Sequence, residues 1–282
     1  MTNRIAPRIS IVTPSYNQAR FLEQTMHSVL DQGYPNLEYI VMDGGSTDDS
    51  AKIIRRYTER LAYWVSAPDG GQADAIKQGF ERATGEILGW VNSDDLLLPG
   101  SLEHVAQQFR QHPEAGFLAG GFVPIDEHGH VTWCFWPVTP TLKRLLLVGF
   151  YVGQPACFWT HRVYDRAGGI DPSFHFAMDG DLFLRILHCG KAISTTRLLG
   201  CFRSHRASKS ARLQDVHEAE RARIQDQWNC DKLMRTHGNR EYIRWRLLTI
   251  LRRGPQLLRL WAKFGQLRPW TRRNDMRPED LP

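Results

Sequence analysis

Gly89-Trp90-Val91-Asn92-Ser93-Asp94-Asp95, followed by Leu96-Leu97-Leu98-Pro99-Gly100, is the stretch that decides how the chain is read. An apolar run from Ile87 to Val91 stops at two adjacent carboxylates, and the chain turns at Pro99-Gly100. A buried strand ending on an acidic loop has this pattern. In open α/β sheets, ligands bind just beyond the carboxyl ends of the strands. Two neighbouring acids there repel one another unless a cation or hydrogen-bond donors offset the charge. A hard divalent ion takes carboxylate oxygens and can carry a diphosphate on its open positions. Taken alone, the pair also fits an ordinary acidic turn in which Asp94 or Asp95 caps the next helix.

The flanking sequence supplies the context. Residues 8–13 read as a short buried strand broken by Pro14, and residues 14–18 as a polar loop. Phe21, Leu22, Met26, Val29 and Leu30 recur at helical spacing up to Gly33. Residues 37–42 form a second predicted strand that ends on Asp43-Gly44-Gly45-Ser46-Thr47-Asp48-Asp49-Ser50. The two glycines permit a tight turn, and Ser46 or Thr47 can cap a helix that continues through Ile53 and Ile54. A third strand is expected at 62–66, a loop at 68–72, and a helix at 73–83. This alternation over about the first 110 residues predicts a parallel, doubly wound sheet. Loops 13–18, 43–50, 69–74 and 92–95 each follow a strand, so they should converge on one sheet edge.

Beyond a helix near 101–110 the pattern changes. Residues 117–125 and 131–136 read as a strand pair around a turn at Glu127-His128-Gly129, and 142–148 as a short helix. Residues 153–159 are expected as a strand near the site, 176–188 as a helix, and 193–202 as a further strand. Asp179 and Asp181 open that helix, where charge placement alone also accounts for them through the macrodipole.

Composition fits this picture. The chain has 282 residues, 42% apolar and 11% aromatic, enough for a substantial core. No apolar run approaches the roughly 18 residues a bilayer span needs, and the N-terminus enters a strand-like run almost at once, without an evident signal peptide. Five cysteines without a Cys-x-x-Cys pair point to a reduced, cytosolic protein and to no zinc site.

Seven motifs occur in order: Thr13-Pro14-Ser15-Tyr16-Asn17, Asp43 to Asp48, Asp69-Gly70-Gly71-Gln72-Ala73-Asp74, Ala83 to Glu86, Asn92-Ser93-Asp94-Asp95, Met178-Asp179-Gly180-Asp181, and Phe202-Arg203-Ser204-His205. Together they resemble the family 2 glycosyltransferases, over roughly residues 7 to 210. The resemblance implies an α/β GT-A fold: a doubly wound, mostly parallel sheet flanked by helices. The catalytic domain would be 1–210, with a helical, basic extension at 211–282. It implies that Thr13, Pro14, Ser15 and Tyr16 lie against the nucleotide and that Asp43 pairs with the base. Asp94 would stand near the ribose or sugar, Asp95 on the metal, and Asp69 and Asp74 near the donor sugar. Asp179 matches the catalytic base, and His205 a late histidine that approaches the metal or diphosphate. Lys77 stands where many relatives carry Asn, and Met178 where many carry an acid; the first bears on donor choice. Residues 111–160 are expected to shape the acceptor pocket.

The function so implied is an inverting transfer of sugar from a nucleoside diphosphate, UDP favoured, to a hydroxyl acceptor, with Mn²⁺ or Mg²⁺ as cofactor. Its product would be a cell-surface polysaccharide or glycolipid, its acceptor a saccharide or lipid-linked. A metal-dependent nucleotidyltransferase is the enzymatic alternative, and a nucleotide-sugar-binding scaffold the non-enzymatic one.

The net charge of +6 is unevenly placed. Residues 240–273 carry ten Lys/Arg against Glu241 alone, so the rest of the chain is net acidic. Large apolar residues interleave with the cations on either side of Gly254-Pro255, which predicts two short basic amphipathic helices. They can lie on the anionic inner face of the cell membrane, making a cytoplasmic, peripheral enzyme, or dock on the catalytic domain. No nucleic-acid module is present, so nucleic acid is not expected as a partner.

Overall fold

The computed structural model describes residues 6–264 and 277–278. The first half alternates strands and helices: β1 (Ile9–Ser15), α1 (Ala19–Leu30), β2 (Leu37–Asp43), α2 (Ser50–Arg56), β3 (Tyr63–Ser66), α3 (Gln72–Phe80), β4 (Ile87–Trp90), β5 (Leu96–Leu97) and α4 (Ser101–Gln111). The second half holds β6 (Ala115–Ile125), α5 (Leu142–Val148), β7 (Cys157–Thr160), α6 (His161–Arg166), α7 (Met178–Cys189) and β8 (Lys191–Arg203). Three helices end the described chain: α8 (Lys209–Arg212), α9 (Gln214–Gln227) and α10 (Cys230–Phe264).

One sheet runs in the order β3-β2-β1-β4-β7-β6-β8-β5. β1, β2, β3 and β4 are mutually parallel, as are β6 and β8, while β7 and β5 run antiparallel to their neighbours. Strand residues alternate between two cores. Val12, Ile40, Met42 and Leu88 face α3 and α7 through Ile76, Phe80 and Leu182. Ile11, Tyr39, Val41 and Ile87 face α1 and α4 through Leu22, Met26 and Val105. Burial on both faces is why these strands read as continuous apolar runs. The expected mostly parallel sheet flanked by helices is the one observed.

Several local expectations change. Residues 131–136 do not form a strand. They meet β6 through isolated bridges at Phe135 and Val131 and through Thr132, which donates to the Pro124 carbonyl, and Pro124 has no N–H to continue the ladder. Residues 154–156 form a short 3₁₀ turn before β7, with Pro155, which has no N–H for a strand ladder, inside it; the Gln154 side-chain amide donates to the Trp90 carbonyl at 2.8 Å. Neither Ser46 nor Thr47 caps α2, which starts from Asp49. Ser46 instead donates its hydroxyl to Asp43 Oδ1 at 2.5 Å.

The predicted break at Gly254-Pro255 is also absent: α10 is continuous over 35 residues with Pro255 inside it. A proline removes one backbone bond and crowds the preceding turn, costing about 3 kcal/mol, and packing holds the preceding stretch in place. Tyr151 meets the Trp245 ring at 5.9 Å, and Glu241 faces Lys143 Nζ at 3.9 Å and Arg144 Nε at 4.0 Å. α10 therefore docks on the α5 region with one face. The opposite face exposes Ile243, Leu247, Ile250, Leu251 and Leu258, with Leu251 71% exposed. Residues 265–273 of the basic stretch lie outside the described residues. Among the described residues no helix is long and apolar enough to cross a membrane.

Candidate active site at the carboxyl edge of the sheet

The four strand-end loops meet. Gly44 N–H donates to the Ser15 carbonyl at 2.9 Å, and Asn17 N–H to Ser46 Oγ at 2.8 Å. Asn17 accepts in return from Thr47 N–H at 2.8 Å, from a backbone at φ +52° that asparagine tolerates better than most residues. A Cβ built on Gly44 would lie 2.8 Å from Asp69 Oδ2, so the second and third loops touch there and glycine is needed. Gln72 donates to Asn92 Oδ1 at 2.8 Å and joins the third loop to the fourth.

Within this edge the predicted residues divide by environment. Thr13, Pro14 and Ser15 are buried at the end of β1, Thr13 accepting from Tyr39 Oη at 2.9 Å, while Tyr16 projects 62% exposed. Ser15 Oγ is buried without a hydrogen-bond partner. The Asp43 carboxylate is buried and accepts from Ser66 Oγ at 2.6 Å and Ser46 N–H at 3.0 Å. Asp69 takes the Gly71 N–H at 2.7 Å; burial, with the charges of Asp74 and Asp43, raises its carboxyl above the usual range. Asp74 holds the same loop through Gly70 N–H at 2.9 Å. Lys77 turns to Glu81, 3.9 Å away and one turn further along α3. No hydrogen bond or ion pair joins it to the other predicted residues.

The adjacent acids separate most clearly. Asp95, expected on the metal, is 1% exposed. It accepts the Arg203 N–H at 2.9 Å and the Asn92 amide at 3.0 Å, one at each oxygen. Burial, and then the Asp94 charge, raises its carboxyl well above the usual range. Its two oxygens thus tie β8 to the end of β4. Asp94, expected near the ribose or sugar, faces outward enough to meet His205, with Oδ2 and Nε2 2.9 Å apart. Arg203 braces the pair, donating from Nε to the Asp94 carbonyl at 2.8 Å and stacking its guanidinium over Phe21 at 4.8 Å. Asp94 and His205 offer one oxygen and one nitrogen donor. That set suits a divalent ion whose other positions are filled by phosphate oxygens and water. Among the described residues no group of three or more His, Cys, Asp or Glu gathers as a complete metal cage.

Asp179 opens α7 across from this edge. Its Oδ1 accepts the Gly180 N–H at 2.8 Å, and burial raises its carboxyl above the usual range. Asp181, the other acid of that turn, is 2% exposed and paired with Arg185, whose Nε donates to it at 2.9 Å. Sequence reasoning missed two neighbours of Asp179. Lys209 donates to Gln72 Oε1 at 2.8 Å and interacts electrostatically with Asp179; burial lowers its ammonium to about 8. Glu220, on α9, accepts the N–H groups of His175, Phe176 and Ala177 at 2.6, 2.9 and 2.8 Å. Lys209 lies four residues after His205 of the Phe202–His205 motif, a cue that could have found it; Glu220 carries no signal of its own.

The family model described as glycosyl transferase family 2 matches residues 10–168. An uncharacterised glycosyltransferase of Mycobacterium tuberculosis is 31% identical over 186 residues, 64% of this chain and 69% of that protein. The putative teichuronic acid biosynthesis glycosyltransferase TuaG of Bacillus subtilis is 38% identical over 126 residues, 44% of this chain and 50% of its own. Among solved structures, S. aureus TarS 1-349 in complex with UDP-GlcNAc superposes with TM-score 0.63 at 18% identity, covering 93% of this chain and 82% of that one. In the UDP complex of the same fragment the match spans 61% of the TarS chain. A mannosyltransferase from Pyrobaculum calidifontis in complex with GDP-Man and Mn²⁺ gives TM-score 0.54 at 20% identity, over 74% of this chain and 59% of that one. At such identities the likeness speaks for the GT-A fold alone. The family model covers more than half of the sequence, and the chain belongs to glycosyl transferase family 2.

Proposed function

We propose that this glycosyltransferase moves a sugar from a nucleoside diphosphate, UDP first, to a hydroxyl acceptor with inversion. The observation that carries the reading is the Asp94–His205 pair, 2.9 Å apart on the common edge of four strand-end loops, with Asp179 opening the helix beyond it. The donor would lie along Thr13 to Tyr16, Asp43, Asp69 and Asp74, with Lys77 at its margin. Structural neighbours carrying UDP, UDP-GlcNAc and GDP-Man support a sugar nucleotide as donor.

In this reading Asp94 and His205 hold Mn²⁺ or Mg²⁺, and Asp95 keeps the loop rigid from inside. Such an ion, when bound, offsets the charge that develops on the departing diphosphate. Asp179 takes the proton from the acceptor hydroxyl as it attacks the anomeric carbon from the opposite face. One displacement with one base inverts that carbon and needs no enzymic nucleophile. Lys209, beside Asp179 and Gln72, favours the ionised base.

The acceptor would be a saccharide or lipid-linked saccharide of a cell-surface polysaccharide or glycolipid, a reading supported by the similarity to TuaG, named for teichuronic acid biosynthesis. The exposed apolar stripe of α10, flanked by exposed Arg240, Arg244 and Arg246, supports a cytoplasmic enzyme that lies peripherally on an anionic membrane. The test is turnover of a UDP-sugar panel with Mn²⁺, read as UDP release. Asp179→Asn should keep donor binding within about twofold and lower transfer by about 10²-fold or more. An unimpaired Asp179→Asn enzyme overturns the base assignment, and release of pyrophosphate in place of UDP moves the reaction to nucleotidyl transfer.

A further inference from the structure

A cleft of about 340 Å³ lies between α10 and the catalytic sheet, apart from the strand-end loops. Its walls are mostly aromatic. Phe122 and Phe135 stack with centroids 4.8 Å apart and planes within 6°, and Trp136, Tyr151 and Trp245 continue the lining. α10 supplies Trp245, Thr249 and Arg253, spaced i, i+4, i+8 on one helical face. Arg253 sits over Phe135 at 5.3 Å and is the one charged side chain of the lining.

Three buried polar atoms there have no partner: Tyr151 Oη, Thr249 Oγ1 and Arg253 Nε. Thr249 is 8% exposed, with Oγ1 buried and unbonded, and Arg253 Nε is likewise buried without an acceptor. A buried donor without a partner costs about 1–3 kcal/mol, so the cleft as it stands lacks something that accepts hydrogen bonds. No carboxylate lines it, so a bound anion meets attraction from Arg253 and no repulsion from the walls.

The cleft also reaches the chemistry. Phe150, at its mouth, packs against the first turn of α7: a Cβ built on Gly180 would lie 2.8 Å from the Phe150 ring. Gly180 follows Asp179 directly. Phe150 alone therefore stands between the cleft and the residue next to the proposed base.

We propose that this cleft binds the carrier part of the acceptor: an amphiphile whose apolar group fills the aromatic walls and whose anionic group pairs with Arg253 and Thr249. The inference rests on the reading of the protein as a sugar transferase with Asp179 as base, and it names the acceptor's class. A plain saccharide would meet few hydrogen-bonding side chains here, whereas an apolar chain beside a phosphate finds both of its complements.

The probe is farnesyl phosphate, titrated calorimetrically into the full chain below its micelle concentration, against farnesol, inorganic phosphate and maltotriose. Farnesyl phosphate should bind saturably, at least about tenfold more tightly than farnesol or phosphate, a gap of about 1.4 kcal/mol. Arg253→Gln should remove most of that gap, and Thr249→Val should weaken binding several-fold. The melting-temperature shift with UDP and Mn²⁺, read on the same samples, should stay unchanged in both variants. Equal affinity for farnesyl phosphate and farnesol, tighter binding of maltotriose, or binding indifferent to both substitutions overturns the proposal. Loss of the UDP response in the unaltered chain would instead overturn the donor reading and leave the cleft's ligand identified by its own titration.

Discussion

Glu220 Oε2 accepts the Ala177 N–H at 2.8 Å, two residues ahead of Asp179, and the two N–H groups before Ala177 go to the same carboxylate. A helix after the motif-bearing region thus fixes the turn that presents Asp179, the proposed base. Burial works against ionisation of Glu220, yet the three backbone donors hold its carboxyl below the usual range. Glu220→Ala would leave three backbone donors facing a gap, so a stability loss of about 2–4 kcal/mol is expected. Turnover should fall about tenfold or more while donor affinity stays, and Glu220→Gln should recover part of the turnover. Thermal unfolding and steady-state kinetics check both. The sign with pH follows from the lowered carboxyl: this stability is present above its ordinary value near 4.5 and disappears as pH falls through the folded-state value.

The two acids of the Asn92–Asp95 loop should respond differently to substitution. Asp94→Asn should abolish the Mn²⁺-dependent part of the UDP-induced melting shift without lowering the melting temperature of the unliganded protein by much; His205→Ala should abolish it too, with a loss of unliganded stability because its ring is buried against Phe21. Asp95→Asn should do the reverse, lowering the unliganded melting temperature while the Mn²⁺ response survives. Manganese titration followed by electron paramagnetic resonance gives the same contrast directly.

The pH profile of transfer should be bounded on both sides. Burial raises the Asp179 carboxyl, so its acid limb should lie above the ordinary aspartate value near 3.8. Burial lowers the Lys209 ammonium to about 8, so the charge that favours ionised Asp179 is lost as pH rises through that value. Lys209→Arg should move the alkaline limb upward, and Lys209→Met should move the acid limb upward. For stability the sign is opposite to an ordinary ion pair. Between about 8 and the ordinary lysine value of 10.5 the unfolded chain binds the extra proton, so stability rises with pH across that window.

The outer face of α10 offers a separate test. Leu247→Glu with Leu251→Glu should leave folding and turnover on a soluble acceptor unchanged, because both side chains are exposed. Co-sedimentation with phosphatidylglycerol vesicles should be salt-sensitive in the unaltered chain and fall at least about fivefold in the double variant.

Much of the first half was legible in the sequence because its strands are buried on both faces and its loops all leave the sheet in one direction. That geometry turns local residue types into a shared edge. The different surroundings of Asp94 and Asp95 were not legible, since neighbouring residues differ only in which way the chain turns them, and their partners Arg203 and His205 lie more than a hundred residues away. Glu220 was invisible for another reason: its partners are backbone N–H groups, which leave no trace in side-chain identity, and it sits on a polar helix. Pro255 read as a break because propensity was weighed without the packing that holds α10. The cleft gathers aromatics from 122 to 151 with Trp245, and no spacing rule relates residues that far apart. Residues 111–160, where no cue was readable, supply most of the wall of that cleft.

The unbroken course of α10 has a mechanical consequence. Its 35 residues make a rod about 52 Å long at ~1.5 Å per residue, clamped near its middle by Glu241 and Trp245. Two short helices joined by a hinge would let the catalytic edge swivel over whatever surface the apolar stripe meets. If the stripe lies on a membrane as proposed, a single rod would give the edge a set height and tilt above that surface, so the helix would act as a gauge. It would decide how far from the surface a hydroxyl must stand to be glycosylated, and lengthening the linkage between that surface and the acceptor would put the hydroxyl out of range.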